Sequence, residues 1–533
     1  MTDEAYWTNG GGETGYPRLD GRGRADVAVI GGGAAGLWTA WELARTGRRV
    51  AVLEAGRIVE AAKGGGAGQA SMIQTLAYDR IARAAGPDAA RCFAEAQALA
   101  VERLAEVAGA LDADCELERR PAYIYAADEH ALPELHEEWA AAIEAGVPAV
   151  YGGGSGLPSP ILGAMSVDAQ LQFHPRKLLM ALARDLVRRG SAVYEHSRVV
   201  TVDEGEPCVV MTENGGSVAA EHVVVATGFP IAAPSAVRRA LRPRRELLLA
   251  GPVPAGQAPD GMYTAVGDLG GSVRTAPMPD GADGAGGADG TDRADRSDRA
   301  GGSDGRRMVV VAGEQHEPGS GGIGERFARL SAWAAAAVGL TEVTHRWSAQ
   351  DYETADHLPV IGRASADPDR RGVWLATGFG GWDATNAVLA GRLIKAGIRG
   401  EKLPAWAGPF APLRLEQDLR PEDTWSGPVR SIVRHRVEPD ERQALDAIRP
   451  GDGAVVEVGG EHCAAYRDES GLLRMVSALC PHRGCTVGFN DAEKTWECPC
   501  HGSRFAPDGA LLQGPAVEPL APARAYLALA AAE

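Results

Sequence analysis

At 533 residues the chain is too long for one compact core, and its length predicts about three domains. Its 45% hydrophobic and 23% charged residues are those of an ordinary globular protein, while a formal charge of −17 leaves no basic face for nucleic acid or anionic lipid. No stretch approaches the roughly 18 apolar residues of a membrane helix, and the opening "MTDEAYWTNGGGETGYP" has early acids and no apolar core, so a cytoplasmic protein without secretory signal or membrane span is expected.

Taken in chain order, "RADVAVIGGGAAGLWTAWELARTGRRVAVLEAG" (24–56) reads as a strand, a Gly-rich turn, an amphipathic helix and a second strand ending in Glu54, the start of a parallel sheet. Gly31, Gly33 and Gly36 form G-x-G-x-x-G: the first allows the tight turn, the second lets backbone approach a pyrophosphate, the third permits close helix–strand packing. Ala34 and Ala35 fall at the helix N-terminus, which stabilises phosphate charge, and Glu54 is placed to accept hydrogen bonds from a ribose hydroxyl.

"AAKGGGAGQASM" (61–72) is a predicted loop, followed by helical periodicity to about residue 117. "FHPRKLLMALARDLVRRGSAVYEHSRVVTV" (173–202) predicts a helix and strand, and "EHVVVATGFP" (221–230) a buried strand with a tight turn. Strand-rich sequence from 246 to 313 is broken by an Asp/Gly-rich segment, about 279–307, that has almost nothing to bury and reads as a disordered insertion. "GSGGIG" (319–324) repeats the glycine spacing, but Pro318 and neighbouring residues separate it from its strand, which a phosphate-cradling turn does not tolerate. "GVWLATGFGGWDATNAVLAGRLIKAGI" (372–398) is again strand, Gly turn and helix; 404–444 reads as a linker, and short strands with Gly, Asn and Asp turns beyond 445 predict a small all-β module.

Of eight cysteines, Cys92, Cys115, Cys208 and Cys463 are scattered like ordinary buried thiols, whereas Cys480, Cys485, Cys498 and Cys500 crowd together with His482 and His501. Six donors stand where a metal usually takes four. C-x-H, a gap of 15 residues and then C-x-x-H is not zinc-finger spacing. One Cys and one His from each of two loops suits a Rieske [2Fe–2S] centre, with two Cys on one iron and two His on the other, against the alternatives of zinc or a structural cysteine cluster.

Residues 20–400 resemble the D-amino-acid oxidase type of FAD-dependent amine and amino-acid oxidoreductases, through "DVAVIGGGAAGLWTAWEL…VAVLEAG", "VVVATG" and "DHLPVIGR…WLATGFGGWDATNAVLAGRLI". The resemblance implies FAD, with its pyrophosphate at Gly31–Gly36, ribose at Glu54, adenine near Val199, Thr227 and Gly228 closing the adenosine side, and Gly378, Gly380, Gly381 and Thr385 bordering the isoalloxazine. It implies an α/β, Rossmann-like FAD-binding domain (20–96, 188–235 and 345–403) and an α+β substrate domain with a large mixed or antiparallel sheet (97–187 and 236–344). In amino-acid-oxidising relatives an Arg shortly before the D-x-x-P-x-I-G stretch anchors the substrate carboxylate. Matching Asp356, Pro359, Ile361 and Gly362 puts Asp351 there. Since an acid cannot pair with a carboxylate, the expectation is a cationic amine substrate, or one whose carboxylate is held elsewhere, by Arg346; the alternative is an Asp351 that serves the backbone or an ion pair. His174 and His316 are further pocket bases, unless they are turn or capping residues, and Trp382 a pocket wall, unless it is core.

Residues 445–533 resemble Rieske domains, through "SALCPHRGCTVGFNDAEKTWECPCHGSRFAPDGALLQGPAVEPL". The resemblance implies Cys480, His482, Cys498 and His501 as cluster ligands and, as in the Rieske proteins of cytochrome bc complexes, a Cys485–Cys500 disulfide. It also makes Ser503 a hydrogen-bond donor to a cluster sulfur and puts Phe505 where high-potential relatives have a tyrosine, which implies a potential inside the Rieske range of about −150 to +300 mV but below its top.

The two halves together resemble bacterial fusions of amine-oxidase-type flavin domains with Rieske domains. They imply oxidation of a C–N bond of a small-molecule amine or amino acid, with electrons passing from FAD through the cluster and out by a His482/His501 edge to an acceptor such as a ferredoxin, a quinone or a reductase. The alternatives are the reverse flow, serving an oxygen-dependent biosynthetic oxidation, and a non-catalytic redox relay or sensor.

Overall fold

The structure, a computed structural model, describes residues 2–8, 12–60, 68–152, 156–157, 159–267, 271–278, 305–367, 372–417 and 445–523. Three parallel strands, Val50–Leu53, Arg22–Ile30 and Ser217–Val225, form the middle of the first sheet, with Ala192–Tyr194 outside the first and Val373–Thr377 outside the last. Their Val, Ile and Ala runs are buried on both faces, the pattern a parallel sheet covered by helices requires. The helices Ala34–Ala44 and Asp383–Ile398 pack together on this sheet, each starting from a glycine turn at the carboxyl end of a strand.

The second sheet has nine strands and is mixed. At one end Leu241–Pro254 pairs antiparallel with both Arg306–His316 and His345–Thr354. Towards the other end Glu118–Ala126 pairs antiparallel with Gly163–Gln172 but parallel with Met262–Ala265. The strand beginning at Arg306 takes the last residues of the expected 279–307 insertion into this sheet; 279–304 lie outside the described residues. Similarly, the first part of the expected linker is core: Trp406 and Phe410, in the 3-10 helix Ala405–Phe410, are buried, and Phe410 stacks on Phe93. Residues 418–444 lie outside the described part.

The C-terminal module has a three-stranded sheet (Asp452–Val458, Glu461–Arg467, Leu473–Ser477) and a four-stranded one (Gly488–Asn490, Thr495–Glu497, Arg504–Phe505, Leu511–Gln513). Trp496 and Phe505 fill the core beneath the cysteine loops. No described helix is long and apolar enough to cross a membrane.

The module is seated on the second sheet by buried charge. Arg245, 1% exposed, has Nη1 2.7 Å from the fully buried Glu497 and Nη2 2.5 Å from Glu493. Arg504 approaches the same two carboxylates at 3.4 and 2.8 Å. Burial raises the Glu497 pKa, but the guanidiniums of Arg245 and Arg504 outweigh it and hold the carboxyl below its usual range. The "GSGGIG" stretch is part of this interface. Its last residues open the helix Ile323–Val338, and the free amides of Ile323 and Gly324 donate to Asp491 at 2.7 and 3.0 Å, so a carboxylate of the small module takes the place a phosphate would have. Close approach explains a glycine of the small module as well: a Cβ on Gly488 would lie 2.2 Å from the carbonyl oxygen of Gly319, the first residue of the stretch.

Candidate active site and metal centre

The first glycine turn has the geometry its spacing predicts. Gly31 has φ +108°, and a Cβ there would lie 2.3 Å from the Ala226 carbonyl; a Cβ on Gly36 would lie 1.9 Å from the Gly31 carbonyl. At Gly33 nothing lies within 4 Å of that position, which leaves backbone open to a ligand. Glu54 accepts hydrogen bonds from the Gly32 and Gly56 amides at 2.7 and 2.9 Å, one on each oxygen, so its carboxylate is fixed and retains lone pairs for a hydroxyl. Val199 is buried at a bulge near this end of the sheet, and the Thr227 hydroxyl donates to the Phe229 carbonyl, shaping the turn through Gly228 (φ +74°). These features suit a dinucleotide.

A cavity of about 490 Å³ opens beside this turn, lined among others by Ala34, Gly378, Gly380, Gly381, Trp382 and Asn386. Thr385 lies behind its wall: fully buried, it accepts a hydrogen bond from Gln74, which also bonds Gln97.

The expected substrate residues are placed differently. Asp351 does not line the large cavity but lines a smaller one that shares Glu246, Glu353, Gly380 and Gly381 with it; its Oδ1 accepts from the Tyr352 amide at 2.7 Å and its Oδ2 from the Gly381 amide, so it fixes the glycine loop. Arg346 pairs with Asp3 and lies over Phe327, outside the cavity lining. His174 caps the helix Pro175–Arg188, its Nδ1 accepting from the Lys177 amide, and packs on Trp7; His316 is buried with Nδ1 2.9 Å from the Glu314 carbonyl. Of these residues only Trp382 faces the cavity, as the N-cap of the helix Asp383–Ile398.

Sequence reasoning missed the polar lining: Glu246, Gln315, Glu353, His357 and Arg80. Burial pushes the Glu246 carboxyl up to about 7 and holds His357 below its usual range, hence neutral. Two signals were available. Glu246 is the one acid in the apolar run "RRELLLAG", and His357 lies inside the D-x-x-P-x-I-G stretch, where its φ of +59° is uncommon for a residue other than glycine.

In the small module, Cys480 and Cys498 are buried thiols joined by a hydrogen bond. That bond draws Cys480 down to about 7 against the opposing effect of burial, helped by the Ser503 hydroxyl, and holds Cys498 up. The rings of His482 and His501 are perpendicular, with centroids 4.9 Å apart, and the Nδ1 atom of each is buried without a hydrogen-bond partner. Burial first, then Arg483 for His482 and the His482 ring for His501, lowers the two imidazoles to about 4 and 3, so both are neutral. Two acidified or paired thiols and two neutral imidazoles with orphaned nitrogens fit the donor set that a [2Fe–2S] centre with mixed ligands needs. The sulfurs of Cys485, Cys498 and Cys500 also lie within 4.8 Å of one another, but Cys485 and Cys500 are bonded as a disulfide and have no thiolate to give a metal. Ser503 Oγ also accepts from the Ala516 amide at 3.0 Å, and Phe505 is fully buried.

The His edge is not the free surface the sequence led one to expect. Phe229 packs on it, with ring centroids 4.7 Å from His501, which is buried, and 5.8 Å from His482, which stays half-exposed. Tyr352 packs on Phe229 and donates to the His501 carbonyl at 2.9 Å, and Gln350 donates to the Gly502 carbonyl at 3.0 Å. The Tyr352 carbonyl in turn accepts from the Gly380 amide at 3.0 Å, on the rim of the large cavity.

Comparison with known proteins gives two family matches: "FAD dependent oxidoreductase" over residues 26–396 and "Rieske [2Fe-2S] domain" over 442–524. YhfW of Bacillus subtilis, whose name describes a Rieske 2Fe-2S iron-sulfur protein, is 28% identical over 97% of each chain. Cytochrome b6-f complex iron-sulfur subunit 3 of Nostoc is 40% identical over 83 residues, 16% of this chain and 43% of its own. Among solved structures, glycine oxidase from Geobacillus kaustophilus matches with TM-score 0.56 at 21% identity, over 75% of this chain and all of that one. L-Proline dehydrogenase from P. horikoshii matches with TM-score 0.55 at 16% identity, also over 75% of this chain and all of its own.

Proposed function

Because the chain belongs to the FAD-dependent oxidoreductase family and carries a Rieske [2Fe–2S] domain, we propose that it dehydrogenates a C–N bond of an amine or amino acid and sends the electrons from flavin to cluster, then to an external acceptor. FAD supplies a two-electron hydride acceptor and the cluster a one-electron carrier. The chain's own residues hold and orient. Gly31, Gly33 and Gly36 cradle the pyrophosphate, Glu54 the ribose, and the loop Gly378–Gly381, braced by Asp351, borders the flavin ring.

Glu246, charged above about 7, gives the cavity a negative group suited to an ammonium, beside Glu353, which pairs with Arg244 at 2.9 Å, and neutral His357 can take the proton an amine must lose before hydride leaves. Arg80, also on the lining, suits the carboxylate of an amino-acid substrate.

The observation that carries the electron route is the aromatic layer of Phe229 and Tyr352, which touches the His edge on one side and the glycine loops of the flavin cavity on the other. The test is anaerobic: oxidised holoprotein is mixed with a panel of amines and amino acids while flavin absorbance and the reduced-Rieske EPR signal are followed. Reduction of both centres by one substrate is expected. Reduction only by ferredoxin, or by NAD(P)H with a reductase, would overturn the direction of flow, and exchange without turnover of any substrate would leave a relay.

A further inference from the structure

We propose that the surface formed by Arg238, Arg239 and Arg483, where His482 comes to the outside, docks an acidic one-electron carrier protein. The inference rests on the reading of His482 as a cluster ligand. Cys480, Cys498 and His501 are all buried, so half-exposed His482 is where the donor set reaches solvent. Arg483, the next residue, is exposed, and on the same loop Pro481 and Leu479 are exposed as well, giving an apolar contact beside the charge.

The other two arginines come from the flavin half. The segment that lays Phe229 against His482 runs straight into the short helix Ser235–Ala240, which carries half-buried Arg238 and exposed Arg239. Arg238 is held in place by donating to the Ala233 carbonyl at 2.8 Å. The Phe229–His482 contact thus brings this helix to the edge of the module where Arg483 lies, and in keeping with that arrangement burial first, then the like charges of Arg483 and Arg239, lower the Arg238 pKa.

Among the described residues none of the three has an acidic partner. Nearby Arg244, Arg245 and Arg504 are each paired with glutamates. Concentrating unpaired positive charge is unfavourable, and on a chain of net charge −17 it creates a local attractive field within a surface that otherwise repels acidic proteins. A carrier steered there meets the cluster at the ligand that is open to it.

The test uses the holoprotein and two carriers of opposite charge. A photoreduced plant-type [2Fe–2S] ferredoxin, which is acidic, gives one electron to the oxidised cluster, a downhill transfer; basic mitochondrial cytochrome c takes one electron from the reduced cluster. Stopped-flow rates are measured from low to physiological salt for the wild type and for Arg239→Glu/Arg483→Glu. For the wild type the ferredoxin rate should fall about tenfold or more as salt rises. The double variant should lose most of that rate and its salt dependence, and react faster with cytochrome c. A variant that merely misfolds would slow both reactions, and an intact Rieske EPR signal checks the ligand reading separately. Ferredoxin rates unchanged by charge reversal, or a wild type that prefers cytochrome c at low salt, would overturn the proposal.

Discussion

Replacing Arg245 by Met leaves the fully buried Glu497 facing Arg504 alone, at 3.4 Å instead of 2.7 Å from its nearest cation, and removes a charge from Glu493. Breaking a buried pair typically costs about 3–5 kcal/mol. The retained Arg504 and the partly exposed Glu493 soften this to about 2–3 kcal/mol, or roughly 30- to 150-fold in the equilibrium between docked and undocked modules. Flash photolysis of the holoprotein reads this as the rate and amplitude of electron exchange between flavin and cluster, both of which should fall. The double variant Arg245→Met/Glu497→Gln, which removes both charges, should recover much of the loss, giving a coupling of about 1–3 kcal/mol in the cycle. Undiminished exchange in Arg245→Met, with the Rieske EPR signal intact, would refute the idea that this pair holds the cluster against the flavin domain.

Three further outcomes are expected. Ser503→Ala removes the hydroxyl beside Cys480 and should lower the cluster potential, whereas Phe505→Tyr should raise it, both read by redox titration with EPR. Glu246 is neutral below about 7 and charged above, so KM for a cationic amine should fall as pH rises through that value, and Glu246→Gln should flatten the profile and weaken binding about tenfold above it. Asp351→Asn should loosen FAD binding, measured as flavin retained on dilution, and leave KM for amines unchanged; a changed KM with normal FAD affinity would restore Asp351 to the substrate site.

What the sequence made legible was whatever depends on short-range spacing. Gly31, Gly33, Gly36 and Glu54 lie within one strand–turn–helix–strand unit, and the cluster donors in two short loops, so their geometry follows from local rules. Asp351 and Arg346 were harder because strand alternation fixes only the face: which face meets the cavity depends on partners from Leu241–Pro254 and from the N-terminal segment around Asp3. The docking of the small module was not legible, since Arg245 and Glu497 are 252 residues apart and each reads alone as a surface charge. "GSGGIG" shows the same limit: its glycine spacing is visible in the sequence, yet only the fold reveals Asp491 at the amides of Ile323 and Gly324.

In the proposed route electrons cross within one chain, through the layer of Phe229 and Tyr352. Its most direct test is pulse radiolysis of oxidised holoprotein, adding less than one electron per chain and following redistribution between flavin and cluster as protein concentration is varied tenfold. A first-order rate independent of concentration is expected, slowed in Tyr352→Ala. A rate proportional to protein concentration would place the transfer between molecules and rule out this route.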